Sequence, residues 1–314
     1  MKVSVVGAGV MGPGIAQVFL MGGHEVALTD IQEDALTRGR AQIEASLALM
    51  DEVGLRGGGP TCLDRLTLTT DLAQAVADAA VVVEAIPERL DLKQALYAQL
   101  DALCPSDAVI VSNTSAFPLP DLMPAFRPAR FFVAHFFNPA PIIPLVELVT
   151  SDRTDPDTVA WFRGVLEDCG KAPIVCTRFV PGFLVNRLQT ALAREGLALL
   201  RDGVVSAADL NTATILGIGF KTAWQGLFDT MDYIGLDTVA AVYQLLYPNL
   251  CADTTVPAVV TDKVKAGHLG VKTGEGFLRW DDDPEATRTR EVELLEQLKL
   301  YRRYATAAPK QILA

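Results

Sequence analysis

Three histidines in 314 residues leave few places for a proton acceptor near neutral pH, and none stands at metal-ligand spacing from a second ligand. No metal is expected. The five cysteines, Cys62, Cys104, Cys169, Cys176 and Cys251, include no C-x-x-C pair and are odd in number, which argues for free thiols in a reducing compartment. Basic charge is also short. With 27 Lys and Arg against 38 Asp and Glu, the net charge of −11 argues against nucleic acid or an anionic membrane as a main partner. No apolar run approaches the roughly 20 residues of a membrane span, and the apolar N-terminus is broken by Gly7, Gly9, Gly12 and Pro13 before it can serve as a signal sequence. A soluble cytoplasmic protein is expected. Repeats and low-complexity segments are absent as well.

Half of the residues are hydrophobic, enough for a large core, and a chain of this length divides into two domains because single cores stop growing at roughly 250–300 residues. In the first half, short apolar runs at Val3–Val6, Val26–Leu28, Leu66–Leu68, Val81–Val83, Val109–Val111 and Phe131–Ala134 alternate with helical patterns. That alternation predicts a parallel sheet covered by helices. The run Gly57-Gly58-Gly59-Pro60 and the prolines Pro118, Pro120, Pro124 and Pro128 mark loops inside this domain. After Pro173–Cys176 the period changes to that of helices, with Leu184, Leu188, Ala191, Leu192 and Leu199 on one stripe, and Pro181-Gly182 marks the change. The expected fold class is an α/β Rossmann-type doubly wound sheet over 1–178, followed by a smaller all-α domain over 179–314.

The opening VSVVGAGVMGPGIAQVF runs from a strand through Gly7, Gly9 and Gly12 into a helix. The three glycines serve a tight turn, close approach of backbone to a pyrophosphate, and close helix–strand packing, and the helix N-terminus attracts the phosphates. Asp30, at the end of the next strand, is placed to accept hydrogen bonds from ribose hydroxyls. Its carboxylate would repel the 2′-phosphate of NADP, and Ile31-Gln32-Glu33 offers no arginine to offset it, so the expected cofactor is NAD. Asp30 is also suited to capping the following helix, a role compatible with ribose contact.

ARFFVAHFFNPAPIIPLVELV, residues 129–149, places His135 at the end of an apolar strand and Glu147 in the next. A carboxylate flanked by Leu145, Val146, Leu148 and Val149 is costly to bury without a partner. An imidazole beside it can take a proton at working pH while the carboxylate fixes its tautomer. With a dinucleotide site, this pair points to hydride transfer coupled to proton transfer from a hydroxyl. His24 lies in a glycine turn before the second strand and His268 in a glycine-rich loop, so neither competes for the role.

VVVEAIPERLDLK (81–93), VSNTSAF (111–117), AHFFNPAP (134–141), PLVELV (144–149) and PGFLVNRLQ (181–189) follow the order and spacing of the L-3-hydroxyacyl-CoA dehydrogenase family, which the chain resembles over nearly its whole length. The resemblance implies that His135 is the catalytic base and Glu147 its orienting carboxylate, with Ser115 and Asn186 beside the reacting oxygen. Ser115 and Asn186 thus fall in the substrate site as well. It also implies that Glu88, Lys93, Ser115 and Asn138 lie along the nicotinamide half of NAD, and that the helical domain makes a homodimer. Glu291–Tyr304 is expected to be an amphipathic helix contributing to dimer packing.

The sequence departs from the resemblance in two places. GIGFKTAWQGLFD (217–229) replaces the Pro-Met-Gly-Pro-like turn of acyl-CoA members, and no lysine between Asp51 and Arg65 is available for CoA phosphates. Arg56 and Arg65 remain for a diffuse phosphate contact. The expected substrate is therefore an L-3-hydroxyacyl-CoA of the 3-hydroxybutyryl-CoA kind or, alternatively, a free hydroxy acid resembling those of gulonate, carnitine or pyridine-carboxylate dehydrogenases. In the second case Lys221 would bind the carboxylate. A non-enzymatic, crystallin-like role is the alternative of another class.

Overall fold

The computed structural model describes residues 1–55, 60–122, 127–280 and 284–304. Arg56, Gly57, Gly58, Gly59 and Pro124, named above, lie outside them. Eight strands make one sheet in the order β3-β2-β1-β4-β5-β6-β7-β8. They are β1 (Lys2–Val6), β2 (Glu25–Thr29), β3 (Leu66–Thr69), β4 (Val81–Glu84), β5 (Val109–Ser112), β6 (Phe131–Phe136), β7 (Leu145–Val149) and β8 (Ala172–Cys176). This is the doubly wound order, whose crevice lies beyond the carboxyl ends of β1 and β4.

The strands are apolar on both faces because helices cover both. On one face Val3, Val5, Phe132 and Leu148 pack with Phe19 of α1 (Gly12–Met21), Ile43 of α2 (Glu33–Glu52) and Phe162 of α6 (Pro156–Asp168). On the other, Val6, Val82, Phe131 and Val133 meet α3 (Leu72–Val76), α4 (Leu90–Leu103) and α5 (Leu119–Leu122) through Val76, Leu100 and Leu119. Alternation along β6 therefore puts His135 on the second face with Phe131 and Val133.

One pairing departs from the parallel pattern expected of the sheet: β7 runs antiparallel to β6, and β8 is parallel to β7. The reason is the connection. A parallel crossover needs a dozen or more residues, and only residues 137–144 separate the two strands. The short return sets the register Val133↔Val149, Ala134↔Leu148, His135↔Glu147. Residues directly opposite share a face, so the imidazole and the carboxylate meet.

The chain forms two compact units, one comprising Met1–Leu184 and resuming at Glu285, the other Val185–Pro284. The second holds α7 (Val185–Arg201), α8 (Ala207–Thr212), a π-helical turn at Ala213–Gly219, α9 (Phe220–Thr222), α10 (Leu227–Ile234), α11 (Leu236–Leu246) and α12 (Ala258–Lys265). The final helix, α13 (Pro284–Tyr304), was expected to lie with the helical domain. Instead its Leu295 and Leu298 are buried with Leu49, Met50, Leu55 and Ile142 of the first unit. Two leucines one turn apart make a stripe that the apolar end of α2 covers, a pairing invisible in the helical period alone. No helix among the described residues is long and apolar enough to cross a membrane.

Candidate active site

The glycine turn after β1 is constrained by close contacts at two of its three glycines. Gly7 has φ +105°, and a Cβ there would lie 2.6 Å from the Ala85 carbonyl oxygen, while a Cβ at Gly12 would lie 1.7 Å from the oxygen of Gly7. Gly9 differs. Nothing stands within 4 Å of its Cβ position, so the backbone borders open space ahead of α1, the cradle a pyrophosphate needs. The residues present thus fit a dinucleotide.

Asp30 braces that turn. Its Oδ2 accepts from the Ala8 N–H at 2.8 Å and its Oδ1 from the Gln32 N–H at 3.0 Å, and each oxygen keeps a further lone pair for a ribose hydroxyl. Asp30→Ala is expected to lower the preference of kcat/KM for NAD over NADP by at least about tenfold, because like-charge juxtaposition with the 2′-phosphate costs several kcal/mol. An unchanged preference would reject the assignment.

At the ends of β4 and β5 lies a buried polar network that the sequence reading did not foresee. Glu84, fully buried, accepts from the Lys93 ammonium, the Tyr97 hydroxyl and the Ser112 hydroxyl, each at 2.6 Å, and from the Ile86 N–H at 2.9 Å. Burial, and then the charge of Glu84, push the Tyr97 phenol upward, so it donates as a neutral group. Lys93 is 1% exposed and also meets Glu88 Oε2 at 3.1 Å. Its placement differs from a direct cofactor contact, since its ammonium already faces two carboxylates; an influence on the cofactor would pass through Glu88. Glu88 in turn accepts from the Thr114 hydroxyl and from the Ser115 N–H at 3.2 Å, fixing the turn that exposes Ser115. Asn113 Oδ1 accepts from the Phe136 N–H at 2.9 Å and ties this turn to the strand bearing His135. The only early signal was Glu84 itself, an acid ending an apolar strand.

His135 Nδ1 lies 2.8 Å from Glu147 Oε2. Glu147 is fully buried and His135 is 7% exposed, enclosed edge-to-face by Phe137 at 4.6 Å and Phe183 at 5.4 Å between ring centroids. Glu147 Oε1 accepts from the Leu184 N–H at 3.0 Å. An ionised carboxylate only accepts, so opposite it Nδ1 is the ring nitrogen that carries a proton and Nε2 is the one with a lone pair. The connection between β6 and β7 is held by the residue preceding β8: the Lys171 ammonium donates to the carbonyls of Ala140 and Ile143. Burial, and then the charge of Arg302, push that ammonium down to about 7.

The other expected residues fall as follows. Asn138, just past β6, is exposed. Asn186 is the second residue of α7 and half-buried, and Lys221 is exposed on α9, directly after the π-helical turn; both belong to the second unit. His24 caps the turn after α1 through its N–H to the Phe19 carbonyl, with its imidazole lowered chiefly by burial, while His268 meets Glu275 in a loop of the second unit. Arg65 is half-buried, and its Nη2 donates to the Leu20 carbonyl at 2.9 Å, where the C-terminal end of α1 favours a cation. Among the described residues no group of three or more His, Cys, Asp or Glu could hold a metal ion.

Comparison with known proteins bears on this arrangement. Residues 2–179 match the 3-hydroxyacyl-CoA dehydrogenase NAD binding domain, and residues 182–280 match the 3-hydroxyacyl-CoA dehydrogenase C-terminal domain. The chain is 33% identical to 5-formyl-3-hydroxy-2-methylpyridine 4-carboxylate 5-dehydrogenase of Mesorhizobium japonicum, over 96% of this chain and 97% of that protein. A solved structure of a dehydrogenase of that name has a TM-score of 0.87 at 31% identity and covers 98% of this chain and 99% of its own. L-carnitine dehydrogenase of Streptomyces coelicolor is 44% identical over 74% of this chain and 73% of its own. The probable 3-hydroxybutyryl-CoA dehydrogenase of Deinococcus radiodurans is 38% identical over 89% of this chain and 100% of its own.

Proposed function

This chain belongs to the 3-hydroxyacyl-CoA dehydrogenase family, and from that premise we propose that it oxidises the hydroxyl of a small free hydroxy acid with His135 as the base. As a member of the family it is an NAD-dependent dehydrogenase acting on a hydroxyl group. The observation that carries the chemical reading is the 2.8 Å contact between His135 Nδ1 and the buried Glu147. Bound NAD supplies the hydride acceptor. Nε2 of His135 takes the hydroxyl proton as the carbon gives up its hydride, and Glu147 stabilises the imidazolium so formed. Ser115 and Asn186 act as donors to the oxygen on which charge develops. Glu88, held by Lys93, keeps the Ser115 turn in place, and Glu88, Ser115 and Asn138 would line the nicotinamide half of NAD.

For the substrate, the lack of a lysine between Asp51 and Arg65 and the GIGFKTAWQGLFD segment (217–229) in place of a Pro-Met-Gly-Pro-like turn favour a free acid. Lys221, exposed on α9, is its carboxylate partner in this reading. The test compares NADH formation from L-3-hydroxybutyryl-CoA with that from free L-3-hydroxy acids, including gulonate and carnitine. Lys221→Ala is expected to raise the KM of the preferred free acid about 10–100-fold, the loss of one charge-assisted contact of roughly 1.5–3 kcal/mol; an unchanged KM would remove Lys221 from the site. A second reading, oxidation of a 3-hydroxyacyl thioester in fatty-acyl metabolism, is favoured by the full-length likeness to the Deinococcus radiodurans protein. A clear preference for the thioester in the same assay would establish it and make Lys221 incidental.

A homodimer through the helical unit completes the proposal. Among the described residues of that unit only Ala198 and Val239 are buried apolar side chains, while Ile215, Leu216, Phe220, Phe228 and Leu245 are largely exposed. A helical unit that buries so little of its own apolar surface is suited to covering it with a second copy. The five free thiols fit a reducing, cytoplasmic setting, and the net charge of −11 fits a small-molecule substrate better than nucleic acid or an anionic membrane.

A further inference from the structure

We propose that Phe183 is a positioning residue for the base: its ring walls the His135 imidazole, and its left-handed backbone turns the Leu184 N–H onto Glu147. The proposal rests on the reading of His135 as the base and deepens it. Gly182 and Phe183 are consecutive left-handed residues, with φ of +80° and +51°. Glycine adopts that region freely. A phenylalanine does so only where its surroundings hold it there, and such outliers collect at functional sites.

The surroundings are specific. The Phe183 N–H donates to the Val180 carbonyl at 2.9 Å, closing the turn. The ring is 1% exposed and meets His135 edge-to-face, 5.4 Å between centroids at 63°, with Phe179 behind it at 6.0 Å. One residue on, the Leu184 N–H reaches Glu147 Oε1 at 3.0 Å, while Oε2 of the same carboxylate faces the imidazole. The orientation of the peptide between 183 and 184 depends on the backbone torsions of Phe183. In a right-handed or extended conformation that N–H would swing away from Glu147, and the ring would leave His135 with it. A single backbone state thus sets both the hydrogen bond that orients the carboxylate and the apolar wall that keeps water from the pair. Water exclusion strengthens the imidazole–carboxylate interaction and fixes the ring for proton transfer.

Two substitutions separate this role from simple packing. Phe183→Gly accepts the left-handed backbone and so keeps the turn, but it removes the wall. Phe183→Leu keeps apolar bulk and loses the aromatic edge, under a backbone strain that Gly does not feel. NADH binding by fluorescence reports whether the dinucleotide unit is intact in each. Because the chain has three histidines, ¹⁵N-histidine labelling resolves the His135 ring nitrogens once His24 and His268 are assigned by substitution. The expected result is NADH affinity within about twofold of the parent, kcat lower by at least about tenfold with KM little changed, and His135 signals moved away from a protonated, protected Nδ1. Unchanged kcat together with unchanged His135 signals, in either variant that binds NADH, would overturn the proposal. The imidazole signals are read without substrate, so they test Phe183 even if turnover shows that His135 is not the base.

Discussion

His135→Gln lowers kcat by about 10²–10⁴-fold, the usual contribution of a positioned general base, while NADH still binds. Glutamine is the informative replacement. It is a neutral side chain, and its amide can still donate to Glu147 Oε2, so the buried carboxylate keeps a partner and the β6–β7 pairing keeps its register. What it lacks is a basic lone pair. Alanine would confound the result, because removing one partner of a buried pair leaves a desolvated charge and costs about 3–5 kcal/mol of stability. Kinetics with NAD and whichever acid or thioester is preferred, alongside NADH titration, make the test. A variant that binds NADH and turns over within a few-fold of the parent would show that the proton leaves by another route.

The glycine turn yields the second large effect, and it divides by position. Gly12→Ala puts a Cβ 1.7 Å from the Gly7 carbonyl oxygen, a backbone atom that cannot move aside as a flexible side chain would. Helix α1 must then separate from β1, and overpacking of this kind costs about 3 kcal/mol or more. The expected outcome is a large fall in Tm with NAD binding lost as a consequence. Gly9→Ala meets nothing within 4 Å, so Tm without cofactor should stay close to that of the parent. NAD affinity should nevertheless fall, because the added methyl points into the space where the pyrophosphate approaches the backbone. Thermal unfolding with and without NAD checks both. Equal loss of stability in the two variants, or unimpaired NAD binding by Gly9→Ala, would contradict the assignment of that space.

Much of the fold was legible because its signals are local. Strand-forming runs such as Val81–Val83 and Val109–Val111 name themselves by composition, and the helices between them by period. The return at 137–144 was also implicit, since eight residues cannot carry a parallel crossover, but the antiparallel consequence follows only when strand adjacency is known. The C-terminal helix shows the limit from the other side. Its existence follows from its own period, whereas the choice of Leu49, Met50 and Ile142 as its cover depends on residues more than a hundred positions away.

The candidate site divides in the same way. Gly7, Gly9, Gly12 and Asp30 could be singled out from sequence as a candidate dinucleotide turn because a strand, a turn and a helix N-terminus are contiguous, and the chemistry of phosphate recognition is built into that contiguity. His135 and Glu147 were marked by their cost, an acid and an imidazole in apolar strands. Lys93 was not legible: nothing in its neighbours in the chain shows that its ammonium closes on Glu84 and Glu88 rather than facing outward. Phe183 was less legible still, because a left-handed phenylalanine is disfavoured by its own conformational preferences and is held there only by the His135, Phe179 and Glu147 neighbourhood.

By itself, then, the sequence determined the alternation of strands and helices, the glycine turn after β1 and the candidacy of His135 and Glu147 as a buried pair, since each follows from the conformational and solvation preferences of neighbouring residues. Only the tertiary structure decided the His135–Glu147 register, the buried Glu84–Lys93–Glu88 network and the backbone state of Phe183. Those are set by non-local packing, in which a conformation unfavourable for one residue persists because several distant ones are satisfied by it.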